Sequence, residues 1–423
     1  MREFVKKCVL AILTALARLR LKRLRLYIVG VTGSIGKTST KEALYTALSS
    51  RYRVYRSDKS FNTEFGLPLA ILEQPSGYSS PPGWIKVLFG SLWSAFFGGR
   101  HMQMLVLEMG VDKPGDMSAL LKIVHPQLGV FTNVKPVHLA EGQFKDLDDI
   151  FLEKRKLIDA LPEKGTAILN ADDPYVAGLR NDVKCKKILY GFSEIADVRV
   201  FNIKHSFEGL EFSVTYKGQV VTSTFSVLGS FQVYVLLPAI AASLAQGFTL
   251  EEAVAALRDY KLPPGRMNPI PGIKETLIID SSYNASPEAV KEALDVLTES
   301  PGRKMAVLGS MNELGEMSER KHREVGRYAS ARADVLLTVG ETARWIHEEA
   351  RLTGFPADML AHFDDAEKAA EHARNILKRG DTILVKGSQN RVRLEKFVRK
   401  LMREPDRAEE LLARQGTEWK KIQ

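Results

Sequence analysis

The feature that most constrains this chain is the run Thr32-Gly33-Ser34-Ile35-Gly36-Lys37-Thr38, set between an apolar strand-like stretch from Leu26 and a helix-forming stretch from Lys37 to Ser49. A glycine turn between a parallel strand and a helix lets backbone N–H groups approach phosphate oxygens. In that arrangement Lys37 reaches the β and γ oxygens and the Thr38 hydroxyl ligates Mg²⁺, with Gly33, Ser34, Gly36 and Ser39 completing the nucleotide set. The strict spacing demands glycine at position 31, where the chain has Val31, and Gly30 falls one residue early. On the residues alone the segment is a phosphate loop one position off pattern, or a tight glycine turn.

The rest of the chain fits an α/β layout. Met104–Glu108, Leu128–Asn133 and Thr166–Asn170 are short apolar runs with the look of buried parallel strands. Asp197 to Leu228 alternates as a β-meander with a turn at Lys217-Gly218. The pattern breaks at Leu262-Pro263-Pro264-Gly265-Arg266. Strand-like stretches then recur at Thr276–Asp280, Lys304–Leu308, Val335–Val339 and Thr382–Lys386, separated by helical segments, which predicts a second doubly wound domain. The fold class is therefore α/β: a central P-loop-type nucleotide-binding domain with a small β-meander, over residues 28–266, followed by a Rossmann-like C-terminal domain at 267–403. A basic helix at 1–27 precedes them, and a charged, loosely helical tail at 404–423 follows.

At 423 residues, 45% hydrophobic and 26% charged, the chain has material for two or three domains. Two cysteines, Cys8 and Cys185, make neither a disulfide framework nor a zinc site, which fits the cytosol. The charge of +9 suits anionic partners, but no nucleic-acid reading motif accompanies it, so DNA and RNA are not expected. Residues 1–26 hold eight Lys or Arg against one acid, Glu3, around the uncharged run Cys8–Ala17. A secretory signal, a helix docked on the protein and a helix lying on an anionic lipid surface all suit that pattern, the last two with Val5, Val9, Ile12, Leu13, Leu16 and Leu19 as the apolar stripe. The run is too short to span a bilayer. Trp84–Phe97, with Lys86 as its only charge, reads first as a buried helix and second as a membrane-facing one. Peripheral membrane contact through residues 1–26 and 84–100 is thus the alternative to a plain cytoplasmic protein.

Gly30-Val31-Thr32-Gly33-Ser34-Ile35-Gly36-Lys37-Thr38-Ser39-Thr40-Lys41 resembles the phosphate loop of the Mur ligases, which build peptidoglycan stem peptides. The likeness runs from residue 28 to about 400. It includes Phe61-Asn62-Thr63-Glu64-Phe65-Gly66-Leu67-Pro68, Leu107-Glu108-Met109-Gly110, Thr132-Asn133 with His138, and Asn170-Ala171-Asp172-Asp173. Later come Pro264-Gly265-Arg266-Met267, Asp280 to Pro287, Glu313-Leu314-Gly315-Glu316 and Val385-Lys386-Gly387-Ser388. Within the family the likeness is to the branch that adds D-alanyl-D-alanine to a UDP-muramoyl tripeptide.

The resemblance implies an ATP- and Mg²⁺-dependent ligase that activates a carboxylate as an acyl-phosphate and joins it to an amine, the amine being an amino acid or dipeptide and the acceptor a peptide precursor. It implies Glu108 and His138 as metal ligands beside Thr38. It also places a carbamylated lysine at Lys154, or one step along at Lys156, as a further metal ligand in the catalytic set with Lys37, His138 and Arg266. Asp280 would approach the ribose, and Asn62, Asn133, Tyr283, Asn284, Lys386 and Ser388 the substrates, with the C-terminal domain swinging to deliver the amine. By themselves Glu108 is a strand-end carboxylate, Glu153-Lys154-Arg155-Lys156 a charged helix face, and Asp280 and Ser388 ordinary helix caps.

Three departures from the family stand out. The residues before Leu26 are too few for a UDP-sugar domain. The adenine segment reads Gly229-Ser230-Phe231-Gln232, leaving Gln232 as the candidate base contact and Val235 unable to serve. Asp280-Ser281 replaces a paired Asp, and Ser310 another Asp. A same-fold ligase with a different acceptor, of the folylpolyglutamate or polyglutamate type, and a non-catalytic Mur-like scaffold are the alternatives. The expected state is a monomer.

Overall fold

The computed structural model describes residues 2–57, 61–77, 80–99, 101–137, 139, 142–388, 392–416 and 419. The chain divides into two compact units, the first formed by residues 1–203, 211–225 and 233–260, the second by 204–210, 226–232 and 261–423.

The first unit is built on nine strands: β1 (Tyr27–Thr32), β2 (Val54–Arg56), β3 (Met104–Glu108), β4 (Leu128–Phe131), β5 (Thr166–Asn170), β6 (Lys186–Gly191), β7 (Val198–Ser206), β8 (Gly209–Tyr216) and β9 (Gln219–Phe225). Their order is β2-β3-β1-β4-β5-β6-β7-β8-β9. β1 pairs in parallel with β3 on one side and β4 on the other, so the topology switches at β1 and opens a crevice beyond its C-terminal end. β1, β3, β4 and β5 are buried along nearly their whole length, as parallel strands covered on both faces must be. The meander is as expected, with positive φ at Lys217 and Gly218 making the β8–β9 turn.

Helices α1 (Arg2–Leu24), α2 (Lys37–Ser49), α3 (Gly66–Leu72), α4 (Pro81–Phe97), α5 (Asp116–Leu121), α6 (Leu147–Asp159) and α7 (Pro174–Gly178) dress this sheet. α1 docks on α3 and α4, but its apolar stripe divides. Leu13 is fully buried with Val9 and Leu16 packed beside it, while Val5, Ile12 and Leu19 face solvent. α4 corrects the reading of Trp84–Phe97 as a buried helix. Val87, Ser91, Ser94 and Ala95 face inward, and Ile85, Phe89, Leu92, Trp93 and Phe96 are exposed. No described helix is long and apolar enough to cross a membrane.

The second unit carries β10 (Asn268–Pro271), β11 (Leu277–Ser281), β12 (Lys304–Gly309), β13 (Val335–Val339), β14 (Leu360–Phe363) and β15 (Thr382–Lys386), ordered β10-β11-β15-β12-β13-β14. Only β10 runs antiparallel. The described part of the tail packs on this unit: Ala408 and Leu412 join its core, and Arg414 is buried. These two apolar residues, one helical turn apart, anchor it despite the charges between.

Candidate active site

The phosphate loop takes its shape from two glycines and from the loop after β4. Gly33 has φ 142°, and a Cβ there would lie 1.9 Å from the Thr132 hydroxyl, so no other residue fits. Gly36, at φ 86°, begins α2 without a side-chain cap, which leaves the first-turn N–H groups for an anion. The Ile35 N–H donates to Asn133 Oδ1 at 2.9 Å, and Asn133 Nδ2 and the Thr132 hydroxyl donate to the Ile35 carbonyl at 3.1 and 2.8 Å. Ser34 N–H donates to the Asn133 carbonyl at 2.9 Å, and its hydroxyl exchanges hydrogen bonds with the backbone of Lys135. Asn133 therefore shapes the glycine loop between β1 and α2. Ser39 is buried, and the Tyr260 hydroxyl donates to its carbonyl at 3.1 Å.

Lys37 Nζ folds over the loop and donates to the Gly33 and Ser34 carbonyls at 2.9 and 3.1 Å. The Thr38 hydroxyl donates to Glu108 Oε2 at 2.8 Å, and Asn62 Nδ2 to Glu108 Oε1 at 3.0 Å. A buried carboxylate at the end of β3 is thus held beside the mouth of the loop by one hydroxyl and one amide.

α6 projects Lys154 into the same region. Ile150, Lys154, Leu157 and Ile158 share its inward stripe, and Asp146 caps it by accepting from Asp149 N–H at 2.9 Å. Lys154 is fully buried and its Nζ has no hydrogen-bond partner. Burial, and then the charge of Lys37, hold its pKa well below the ordinary lysine value, against the pull of Asp112, Glu153 and Asp116. Its neighbour differs: Lys156 is partly exposed and donates to Glu153 Oε2 at 2.6 Å. His138 lies outside the described residues. Among the described residues no three His, Cys, Asp or Glu converge as a metal cluster. One hydroxyl and one carboxylate beside a phosphate loop nonetheless suit Mg²⁺, which takes few protein ligands and fills its shell with phosphate oxygens and water.

In the second unit the C-terminal strand ends gather another polar set. Asp280 ends β11, fully buried, with Oδ1 accepting from Ser282 N–H at 3.0 Å and Oδ2 unpartnered. Burial raises its pKa to about 6. Lys386, at the end of β15, donates to Ser281 Oγ at 3.0 Å and the Asn284 carbonyl at 3.1 Å, and burial lowers it to about 8. The Ser388 hydroxyl donates to the Ala285 carbonyl at 3.1 Å and accepts from Asn312 N–H at 3.0 Å. Arg266 lies over the Tyr283 ring, 4.1 Å from its centroid. Asn284 is exposed, and Gln232 is buried in a single 3₁₀ turn, Ser230–Gln232.

Three supporting residues carry no role that the sequence alone assigned. Asn170 Nδ2 donates to the Thr132 carbonyl at 2.7 Å, and Asp173, which caps α7, accepts from Val134 N–H at 3.0 Å, so both hold the loop after β4. Their place in Asn170-Ala171-Asp172-Asp173 was the available signal. Arg414, paired with Glu395, donates to the Ser282 and Tyr283 carbonyls beneath the Asp280 loop. Nothing local in a charged tail marks that arginine as buried.

Residues 31–243 match the Mur ligase middle domain, and residues 265–389 the Mur ligase glutamate ligase domain. The chain is 31% identical over 400 residues to the UDP-N-acetylmuramoyl-tripeptide–D-alanyl-D-alanine ligase of Bacillus subtilis, covering 94% of this chain and 80% of that one. It is 29% identical to the Escherichia coli ligase of the same name, over 88% of this chain and 76% of the other. Among solved structures, the MurF ligase of Thermotoga maritima in complex with ADP superposes with a TM-score of 0.76 at 28% identity, covering 95% of this chain and 84% of that one.

Proposed function

The chain belongs to the Mur ligase family and is an ATP-dependent carboxylate–amine ligase, and from that premise we propose that it extends a cell-wall precursor peptide with a D-alanyl-D-alanine-like dipeptide, as its relatives' names describe for them. The observation that most supports ATP-driven turnover is the Thr38–Glu108–Asn62 hydrogen-bonded trio at the mouth of the phosphate loop, with the unpartnered Lys154 near Lys37, while the dipeptide rests on the relatives' names. A scaffold has no use for a buried, unpaired amine beside a phosphate loop, because such a group costs stability.

The chemistry follows from the charges. The acceptor carboxylate attacks the γ-phosphorus of ATP and ADP leaves, which produces an acyl-phosphate. An amine then attacks the acyl carbon, phosphate leaves, and the amine gives up a proton. The first step brings two anions together, so the loop N–H groups and the Lys37 ammonium, released from the Gly33 and Ser34 carbonyls, stabilise the transferring phosphoryl group. Thr38 and Glu108, with His138, would hold Mg²⁺, which supplies further neutralisation of the phosphate charge when bound. Lys154, whose burial favours the neutral amine, is suited to add to CO₂ and lose a proton, which would turn a misplaced amine into an anionic oxygen ligand. Its burial and lack of a partner favour it over the partly exposed Lys156 for that role. Asp280, Tyr283, Asn284, Lys386 and Ser388, with Gln232 and Arg266, would bind the nucleotide and the incoming amine. We take the enzyme to work as a monomer in the cytoplasm.

The test is phosphate release from ATP and Mg²⁺ in the presence of UDP-muramoyl tripeptide and D-alanyl-D-alanine, with simpler peptides and glutamate acceptors as the competing panel. Lys37→Ala is the blank, and release that persists in it would sink the mechanism. Turnover only with a glutamate acceptor would move the chain to the folylpolyglutamate-type alternative.

A further inference from the structure

Most of the exposed large hydrophobic side chains among the described residues lie on α1 and α4. On α4 the outward set is Ile85, Phe89, Leu92, Trp93, Phe96 and Phe97, with Phe89 71% and Trp93 68% exposed. Their spacing of three and four residues makes one face, opposite the buried Val87, Ser91 and Ala95. On α1, Phe4, Val5, Ile12 and Leu19 are exposed in the same way. Arg18 and Lys22 are exposed on that helix and Arg25 just beyond its end, Arg18 also donating to the Lys122 carbonyl, and α4 carries Lys86 and no acid.

The two helices are fastened to each other as a parallel pair. At their N-terminal ends Lys6 sits over the Phe65 ring, which packs edge-on against Trp84. Towards their C-terminal ends the buried Arg20 donates to the Ser94 hydroxyl at 2.5 Å and pairs with Glu73, and Arg23 donates to the Ala95 carbonyl at 2.9 Å. Burying an arginine to fix this pair, while its aromatic face is left in water, points to an occupant for that face.

We infer that the exposed faces of α1 and α4 form a docking surface for an anionic lipid bilayer, on which the protein lies without crossing it. The combination of aromatic side chains with a large excess of lysine and arginine is the chemistry that inserts shallowly at the headgroup boundary and gains from negative surface potential. A second copy of this chain is the poorer occupant, since apposing two such faces would bring the basic residues of both copies together. The inference stands apart from the ligase reading, for none of these residues belongs to the phosphate or metal set.

The experiment is flotation of the full chain with vesicles of phosphatidylcholine alone and with about 30 mol% phosphatidylglycerol. The expected result is co-flotation with the anionic vesicles, a blue shift of tryptophan emission, and weakening as salt rises from about 0.05 to 0.5 M. F89S/W93S should lower the partition coefficient by about tenfold or more, and R18E/K22E should remove the preference for anionic lipid, both with phosphate release unchanged. Absence of flotation at low salt, or equal partition by the wild type and F89S/W93S, overturns the proposal. So does a dimer in sedimentation velocity that F89S/W93S dissolves.

Discussion

Two buried lysines, one in each unit, differ in a way that burial does not explain. Lys154 and Lys386 are both withdrawn from water, and burial lowers the pKa of both. Lys386 has the Ser281 hydroxyl and the Asn284 carbonyl as acceptors, and it stays at about 8. Lys154 has no acceptor, faces the charge of Lys37, and falls well below the lysine range. Lys386 therefore has two of its three donors engaged, which ties β15 to the loop after β11. Lys154 is unfinished, and the proposed conversion to an anionic ligand is what would complete it. In general, an unpartnered buried group marks function more reliably than burial does.

The contrast is most exposed to Lys154→Met. If the side chain serves only as the precursor of an anionic ligand, ligation should fall at least about 100-fold, as for loss of a group that orders a metal site. In CO₂-free buffer without nucleotide, the same variant should be more stable by about 1–3 kcal/mol, because an apolar chain replaces an orphaned amine. Thermal melting and phosphate release on one preparation check both signs. Full activity would remove Lys154 from the site, and a large loss of stability would reveal a partner the native fold provides.

The next largest effect tests the charge beside Lys386. The Asp280 carboxyl, raised from its ordinary 3.8 to about 6, favours its neutral form in the fold. The stability it contributes is thus fully present below about pH 4 and lost as pH rises through about 6, by about 3 kcal/mol at most. Asp280→Asn should abolish that fall, seen as a flatter dependence of urea midpoint on pH between 4 and 7. It should also push Lys386 further down, towards the condition of Lys154, because Asp280 is one of the charges that supports the ammonium.

How much of this was legible in the sequence follows the same division between local pattern and long-range partnering. β3, β5, β13 and β15 lie where their apolar runs end, because a parallel strand buried on both faces writes itself as a continuous apolar block. The phosphate loop was legible despite Val31, since Gly33 and Gly36 are each required by backbone geometry. The inward direction of Lys154 was readable too: it stands four residues after Ile150 and three before Leu157, on the apolar stripe of α6, although charged neighbours disguise it. α4 was harder. An apolar run with one charge has no polar face to mark the outside, so the sequence could not say that Trp93 is exposed while Ala95 is buried. Arg414 was beyond reach, because its partners Glu395, Ser282 and Tyr283 are distant along the chain.

The smallest effect is the one that separates the two lysines most directly. Lys386→Met makes the same chemical change as Lys154→Met in an equally dry setting, but it strips a donor from the Ser281 hydroxyl and the Asn284 carbonyl. A buried acceptor left unmade costs more than the original bond contributed, so the variant should lose about 1–3 kcal/mol. The favourable removal of a desolvated charge partly offsets that loss. The expected pattern is then a fall in urea midpoint for Lys386→Met and a rise for Lys154→Met. If both variants rise, Lys386 is as unfinished as Lys154, and the second unit too holds a group completed only by its ligand.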